Sequence, residues 1–220
     1  MTMSLVAFQS GLGWALQGGG GCPVDPDSVG IRFTAKVRRS WCEGRAINAA
    51  RSVLTLLPHD ERQCLVAAYV DGGGGQASFL STEADAFLAF LATRLADPSH
   101  ALSVCRMEQA LARAREGAET FVPAAHGAAT AGGGRHLRQG RHAGMVRFHA
   151  DPGAVLAALR GGPLPTVGPA GHAVLFAPGL PDLFRAADSD EAALWDAMPA
   201  KGSARIADRL VSEGVLEYRD

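Results

Sequence analysis

The chain has 220 residues, 47% hydrophobic and 20% charged, and 21 basic against 22 acidic side chains leave a formal net charge of -1. That balance fits a globular fold of one large or two small domains and weighs against a nucleic-acid binder held by bulk charge. No apolar run reaches the ~20 residues of a spanning helix, and no basic stretch leads into a long apolar core at the N-terminus, so a cytoplasmic protein without a signal peptide is expected.

A short helix is predicted around residues 4–16, with irregular chain to residue 30. An Arg-rich helix follows over residues 31–57 and stops at Pro58. Asp60 is placed to cap a helix through Val70, ended by Asp71-Gly72. Ser81 or Thr82 opens a third, with Phe87, Leu88, Phe90, Leu91 and Leu95 on a broad apolar face. Asp97-Pro98 reads as an N-cap followed by proline at the first helical position, with a helix from Ser99 to Glu116 and Gly117 beyond its end. Val104, Met107, Leu111 and Ala114 form one apolar stripe of that helix, and Leu102 and Cys105 a second surface. Such a helix is expected at the centre of a bundle.

Residues 123–144 are rich in Ala, Gly, His and Arg and read as a long surface loop or linker. Met145 to His149 is a candidate strand, and Asp151-Pro152 opens a short helix, Gly153 to Arg160. Gly161-Gly162-Pro163-Leu164-Pro165 then breaks the chain. The last fifty residues carry the sharpest pattern. Ala173 to Ala177 is an apolar run, Pro178-Gly179-Leu180-Pro181-Asp182 is turn chemistry, and Leu183 to Ala187 can pair back as a hairpin. Asp188 begins a helix with Glu191 as capping-box partner. Pro199 and Gly202 end it, Ser203 caps another helix, and Gly214 precedes a closing strand, Val215 to Tyr218. The predicted class is α+β: a helical domain over residues 1–122, a linker over 123–165, and a winged-helix-like domain with a β-hairpin over 166–220.

Residues capable of chemistry are scattered. Cys22, Cys42, Cys64 and Cys105 have long, irregular gaps and no C-x-x-C pair, so buried thiols are favoured over zinc ligands, a redox pair or disulfides. A catalytic Cys42 or Cys105 is disfavoured; Glu108, one turn from Cys105, would raise its thiol pKa. His59, His100, His126, His136, His142, His149 and His172 include no H-x-x-H or H-x-x-x-H pair, although His136, His142 and His149 leave a loop metal site open. The glycine runs 18–21, 72–75 and 132–134 lack phosphate-loop spacing and suit loops or helix ends. There is no G-x-S-x-G elbow.

Two surfaces stand out. Arg38, Arg39, Arg45 and Arg51 fall along one predicted helix, and Arg106, Arg113 and Arg115 along another. Solvated faces and docking surfaces for an acidic partner both fit; the docking reading takes Arg38, Arg39, Trp41, Arg45, Arg106 and Arg113. The second surface is the hairpin. If Leu183 to Ala187 is an exposed edge, an extended peptide can add to it, with Val174, Phe176, Leu183, Phe184 and Arg185 as contacts and a groove near Ile206 and Leu210 for apolar side chains. A covered or dimerising edge is the plain alternative. A DNA reading would use residues 204–213 as recognition helix, with Lys201, Arg205 and Arg209 toward phosphate and Asp208 and Glu213 opposing them.

The stretches SWCEGRA (40–46), LLPHDERQCLVAAYV (56–70) and DPSHALSVCRMEQALARAREGAETFVP (97–123) resemble the helical half of partner subunits of multinuclear non-heme iron-dependent oxidases, the methanobactin- and thiaglutamate-biosynthesis type. The C-terminal half resembles the peptide-recognition element of those pathways. The resemblance spans roughly residues 30–220 and rests on helix-face patterns and element order, without a short diagnostic motif. It implies a chain with no catalytic residues and no cofactor of its own. Such a chain docks onto a TIM-barrel iron oxidase and binds the leader of a ribosomally made precursor peptide. It then presents the peptide's cysteine to the partner's iron for oxidative modification.

Overall fold

The computed structural model describes residues 10–11, 13, 29–76, 79–123, 136–169, 171–199 and 204–219. Most of the predicted helix at 4–16, the cap Ser203, and the glycine runs at 18–21 and 132–134 lie outside them. The chain is mixed α+β and divides into two compact units, residues 1–50 with 59–87 and residues 51–58 with 88–220.

The first unit is helical. Helix α1 (Val29–Ala49) packs on helix α3 (His59–Asp71). The predicted single helix over 31–57 is in fact interrupted at Ala50, and helix α2 (Arg51–Thr55) belongs to the second unit. After α2 the hydrogen bonds tighten to three-residue spacing, Leu56 to Val53 and Leu57 to Leu54, ahead of Pro58. The glycine run 72–75 is a helix end. Gly73 and Gly75 have positive φ (93° and 83°), and a Cβ on Gly75 would stand 2.5 Å from that of Cys42. That turn delivers the Gly75 N–H to the buried carboxylate of Glu83 at 2.8 Å, which also accepts from the Tyr69 hydroxyl at 2.5 Å. Glu83 lies on helix α4 (Leu80–Ala92). Burial and this bond raise the Tyr69 pKa, and its ring stands 4.5 Å from that of Phe87.

The second unit is built around helix α5 (His100–Ala118). Its N-cap is Ser99, whose hydroxyl accepts from Leu102 N–H at 3.1 Å. Asp97 does not cap it; its carboxylate binds Arg106 instead, at 3.2 Å. Strands β1 (His136–Gln139) and β2 (Gly144–Phe148), helix α6 (Pro152–Ala158, N-cap Asp151), and strands β3 (His172–Phe176) and β4 (Phe184–Ala186) follow. Helix α7 (Ser189–Asp196), helix α8 (Ala204–Ser212) and strand β5 (Leu216–Arg219) end the chain.

The predicted hairpin is present: β3 and β4 pair antiparallel with Val174 opposite Ala186, Leu175 opposite Arg185 and Phe176 opposite Phe184. Leu183 belongs to the turn rather than the strand, at φ 65°. β2 joins on the other side of β3, giving the order β2-β3-β4. The closing strand β5 does not join this sheet. It pairs with β1, inside the segment read as loop, with Leu137 opposite Tyr218. Both β1 and β2 lie within residues 123–165, the segment read as a linker, and pair with β5 and β3.

Period-two alternation gives the three-stranded sheet two distinct faces. Gly144, Val146, Phe148, Val174, Phe176, Phe184 and Ala186 point to one. There α5 approaches so closely that a Cβ on Gly144 would meet Ala110 Cβ at 3.0 Å. Met145, Leu175 and Arg185 point to the other, where Leu175 joins Leu137, Ala207, Leu210, Val211, Val215 and Leu216 in a closed core.

Candidate peptide-binding edge

Among the described residues β4 is the outer strand of its sheet, bonded only to β3. The Ala177 N–H donates to Leu183 O at 3.0 Å and the Ala187 N–H to Ala173 O at 2.9 Å. Antiparallel alternation therefore turns the backbone of residues 183, 185 and 187 toward β3 and that of Phe184 and Ala186 outward. The Ala186 carbonyl is partly taken by Arg185 Nη1 at 3.0 Å.

Beside this edge lies an apolar groove of about 370 Å³, between the sheet and helices α5 and α6. Phe148, Val174, Phe176, Phe184 and Ala186 form its sheet wall, and Met107, Leu111, Pro152 and Leu156 its helical wall. Asp151 is the one charged residue lining it among the described residues, and its carboxylate already caps α6 by accepting from Ala154 N–H at 2.8 Å. Phe184 is 45% exposed, with its ring centroid 5.9 Å from that of Phe176, so an aromatic wall stands open at the strand edge. A residue added opposite Phe184 would place its side chain on this face.

The seven predicted peptide contacts divide between the two faces. Val174, Phe176 and Phe184 line the groove, and Leu183 begins the strand from the turn. Arg185 faces the other way. Its guanidinium donates to both Glu191 oxygens, at 2.7 and 2.5 Å, and to Glu213 at 2.6 Å. Arg209 adds a 2.6 Å bond to Glu191. Burial disfavours ionisation of Glu191, but Arg185, the Asp188 N–H and Arg209 outweigh it and hold its pKa down to about 2. Leu210 is sealed in the core with Ile206 packed against it, so neither borders the groove. The groove is instead completed by Met107 and Leu111, half of the stripe noted on α5, and by Leu156, which no pattern singled out.

The predicted docking residues also divide. Arg38, Arg39, Trp41 and Arg45 lie on α1 of the first unit, Arg106 and Arg113 on α5 of the second. Arg39 bonds Glu43 at 2.9 Å and Asp71 at 2.5 Å, Arg45 stacks over Trp41 at 4.7 Å, and Arg113 donates to Gln109 O at 3.4 Å. Arg209, assigned to phosphate in the DNA reading, is committed to Glu191 and Asp188.

The Cys105 thiol is fully buried and donates to Leu88 O at 3.3 Å. Burial first, and Glu108 second, push its pKa up to about 12. His149 Nδ1 lies 3.2 Å from Gly168 O, and His100 Nε2 2.8 Å from Pro165 O. Among the described residues, no three His, Cys, Asp or Glu side chains are grouped as metal ligands, and no helix is long and apolar enough to cross a membrane.

Comparison with protein-family models, with curated proteins and with solved structures returns no match.

Proposed function

We propose that the chain is a peptide-recognition subunit that captures an extended peptide on the edge of β4. The observation that carries this reading is the coincidence of a strand edge that no strand among the described residues pairs with and an apolar groove on the same side. Backbone hydrogen bonds to Phe184 and Ala186 set register, and apolar side chains entering the groove set selectivity.

The resemblance noted in the sequence extends the proposal. The peptide is the leader of a ribosomally made precursor, and the partner is a TIM-barrel iron oxidase that modifies its cysteine. Iron resides in that partner. Tethering the leader raises the effective concentration of the cysteine at the metal, into the millimolar range for a short linker that spans the gap. The C-terminal half serves as a winged-helix-like recognition element on this reading.

Titration of the full chain with the precursor peptide encoded beside it tests the proposal. Saturable binding that Phe184→Asp removes supports it. Binding unaffected by that substitution, or none, overturns it.

A further inference from the structure

The exposed face of α1 is apolar in a regular pattern that its own unit does not use. Val29, Phe33, Val37 and Trp41 recur at every fourth position and are 77%, 68%, 52% and 56% exposed. Residues four apart are neighbours on a helix surface, so the four form one continuous stripe. The buried side of α1 is carried by different residues, Ile31, Cys42 and Ala46. The stripe is therefore additional to the face that packs inward.

Two further observations describe what would cover it. Arg32 and Lys36, three positions after Val29 and Phe33, border the stripe, and neither is in an ion pair among the described residues. The carboxylate nearest on the helix, Glu43, is committed to Arg39. The stripe thus has a cationic border that a complementary surface would meet with carboxylates. Secondly, Ser40 and Gly44 lie beside Val37, Trp41 and Ile47, and a Cβ added to Gly44 would meet nothing within 4 Å. An interior helical glycine is destabilising relative to alanine, and no close contact among the described residues requires it there. The absent side chain leaves open space on the helix surface beside Val37 and Trp41, which a side chain of another protein could enter.

We infer that this face of α1 is the docking surface for a second protein subunit whose apolar contact patch is bordered by Asp and Glu. The inference rests on the reading of the chain as one subunit of a heteromeric assembly. Of the docking residues named from the sequence it keeps Trp41, and it adds Val29, Phe33 and Val37 in place of the arginines.

The test is co-expression of the full chain with the products of the genes flanking its own, followed by light scattering and affinity measurement on the purified complex. Phe33→Glu and Lys36→Glu are the diagnostic variants. Both alter exposed side chains, and circular dichroism and melting check that the fold is kept. The expected result is a stoichiometric complex weakened about tenfold or more by each variant, with the Lys36→Glu effect shrinking at high salt. A complex that tolerates both α1 variants overturns this inference and leaves the subunit reading standing. No complex with any flanking product overturns both. Flotation with vesicles of phosphatidylcholine and phosphatidylglycerol, or a homodimer, either one lost in Phe33→Glu, would assign the face to lipid or to a second copy and overturn it.

Discussion

Arg185 and Glu191 form a two-pronged ion pair between the edge strand and the first turn of α7, with bonds of 2.7 and 2.5 Å. The same Glu191 carboxylate accepts the Asp188 N–H at 2.9 Å, while the Asp188 side chain accepts from Glu191 N–H at 2.8 Å. A helix cap and the underside of the candidate peptide-binding edge are thereby one network. Its role is to hold β4 in place while the opposite face of the strand stays open.

Acid should loosen this network. Glu191 is held at about 2 against an ordinary 4.5. A carboxylate whose pKa is lowered by folding stabilises fully above its unfolded value, and that stability disappears as pH falls through the folded value. The loss is expected between about pH 4.5 and pH 2 and amounts to about 3 kcal/mol. Denaturant melts of wild type and Glu191→Gln across that window check it. The variant should be less stable at neutral pH and show a flatter acid limb.

Arg185→Ala should destabilise the second unit by about 2–3 kcal/mol, because it strands Glu191 and Glu213 without their main cation. The remaining Arg209–Glu191 bond, 2.6 Å long, moderates the loss. Thermal unfolding at neutral pH reads this directly. The peptide affinity of the folded fraction should change much less than in Phe184→Asp.

Groove substitutions should act on binding instead. Phe184→Asp and Leu156→Glu each place a charge at the apolar wall and should weaken peptide binding by about 2 kcal/mol, roughly thirtyfold, with little change in melting. Leu183→Pro is not an equivalent probe. Leu183 sits at φ 65° and donates its N–H to Leu180 O at 3.0 Å, and proline supports neither feature. That variant should lose the hairpin itself.

Thiol reactivity should separate the cysteines. Cys64 is exposed, whereas Cys42 and Cys105 are buried. Iodoacetamide at pH 8 on the native protein, followed by peptide mapping, should modify Cys64 and spare Cys42 and Cys105. Rapid modification of Cys105 would contradict the environment described for it.

The hairpin, the Asp188–Glu191 capping box and the helix ending at Gly214 were legible because each is a local signal: a turn sequence, a three-residue spacing, and a glycine at φ 73°. The pairing of β1 with β5 was not. His136–Gln139 contains a single apolar residue, Leu137, and its partner lies some eighty residues away, so no local pattern announces a strand. The break at Ala50 was hidden for a related reason, since alanine is a good helix former and tertiary packing overrides its propensity. The candidate groove was half legible. Alternation along β4 already separates Phe184 from Arg185. What puts Leu210 in the core and Leu156 in the groove is the layering of helices on the two faces of the sheet, and that order is set by contacts distant in sequence.

Hydrogen exchange at the Phe184 and Ala186 amides, with and without the bound precursor peptide, tests the central claim most directly. Both amides point away from β3, so the account predicts ready exchange in the free chain and strong protection in the complex. Unchanged exchange at these two amides under saturating peptide would place the binding surface elsewhere and contradict the account.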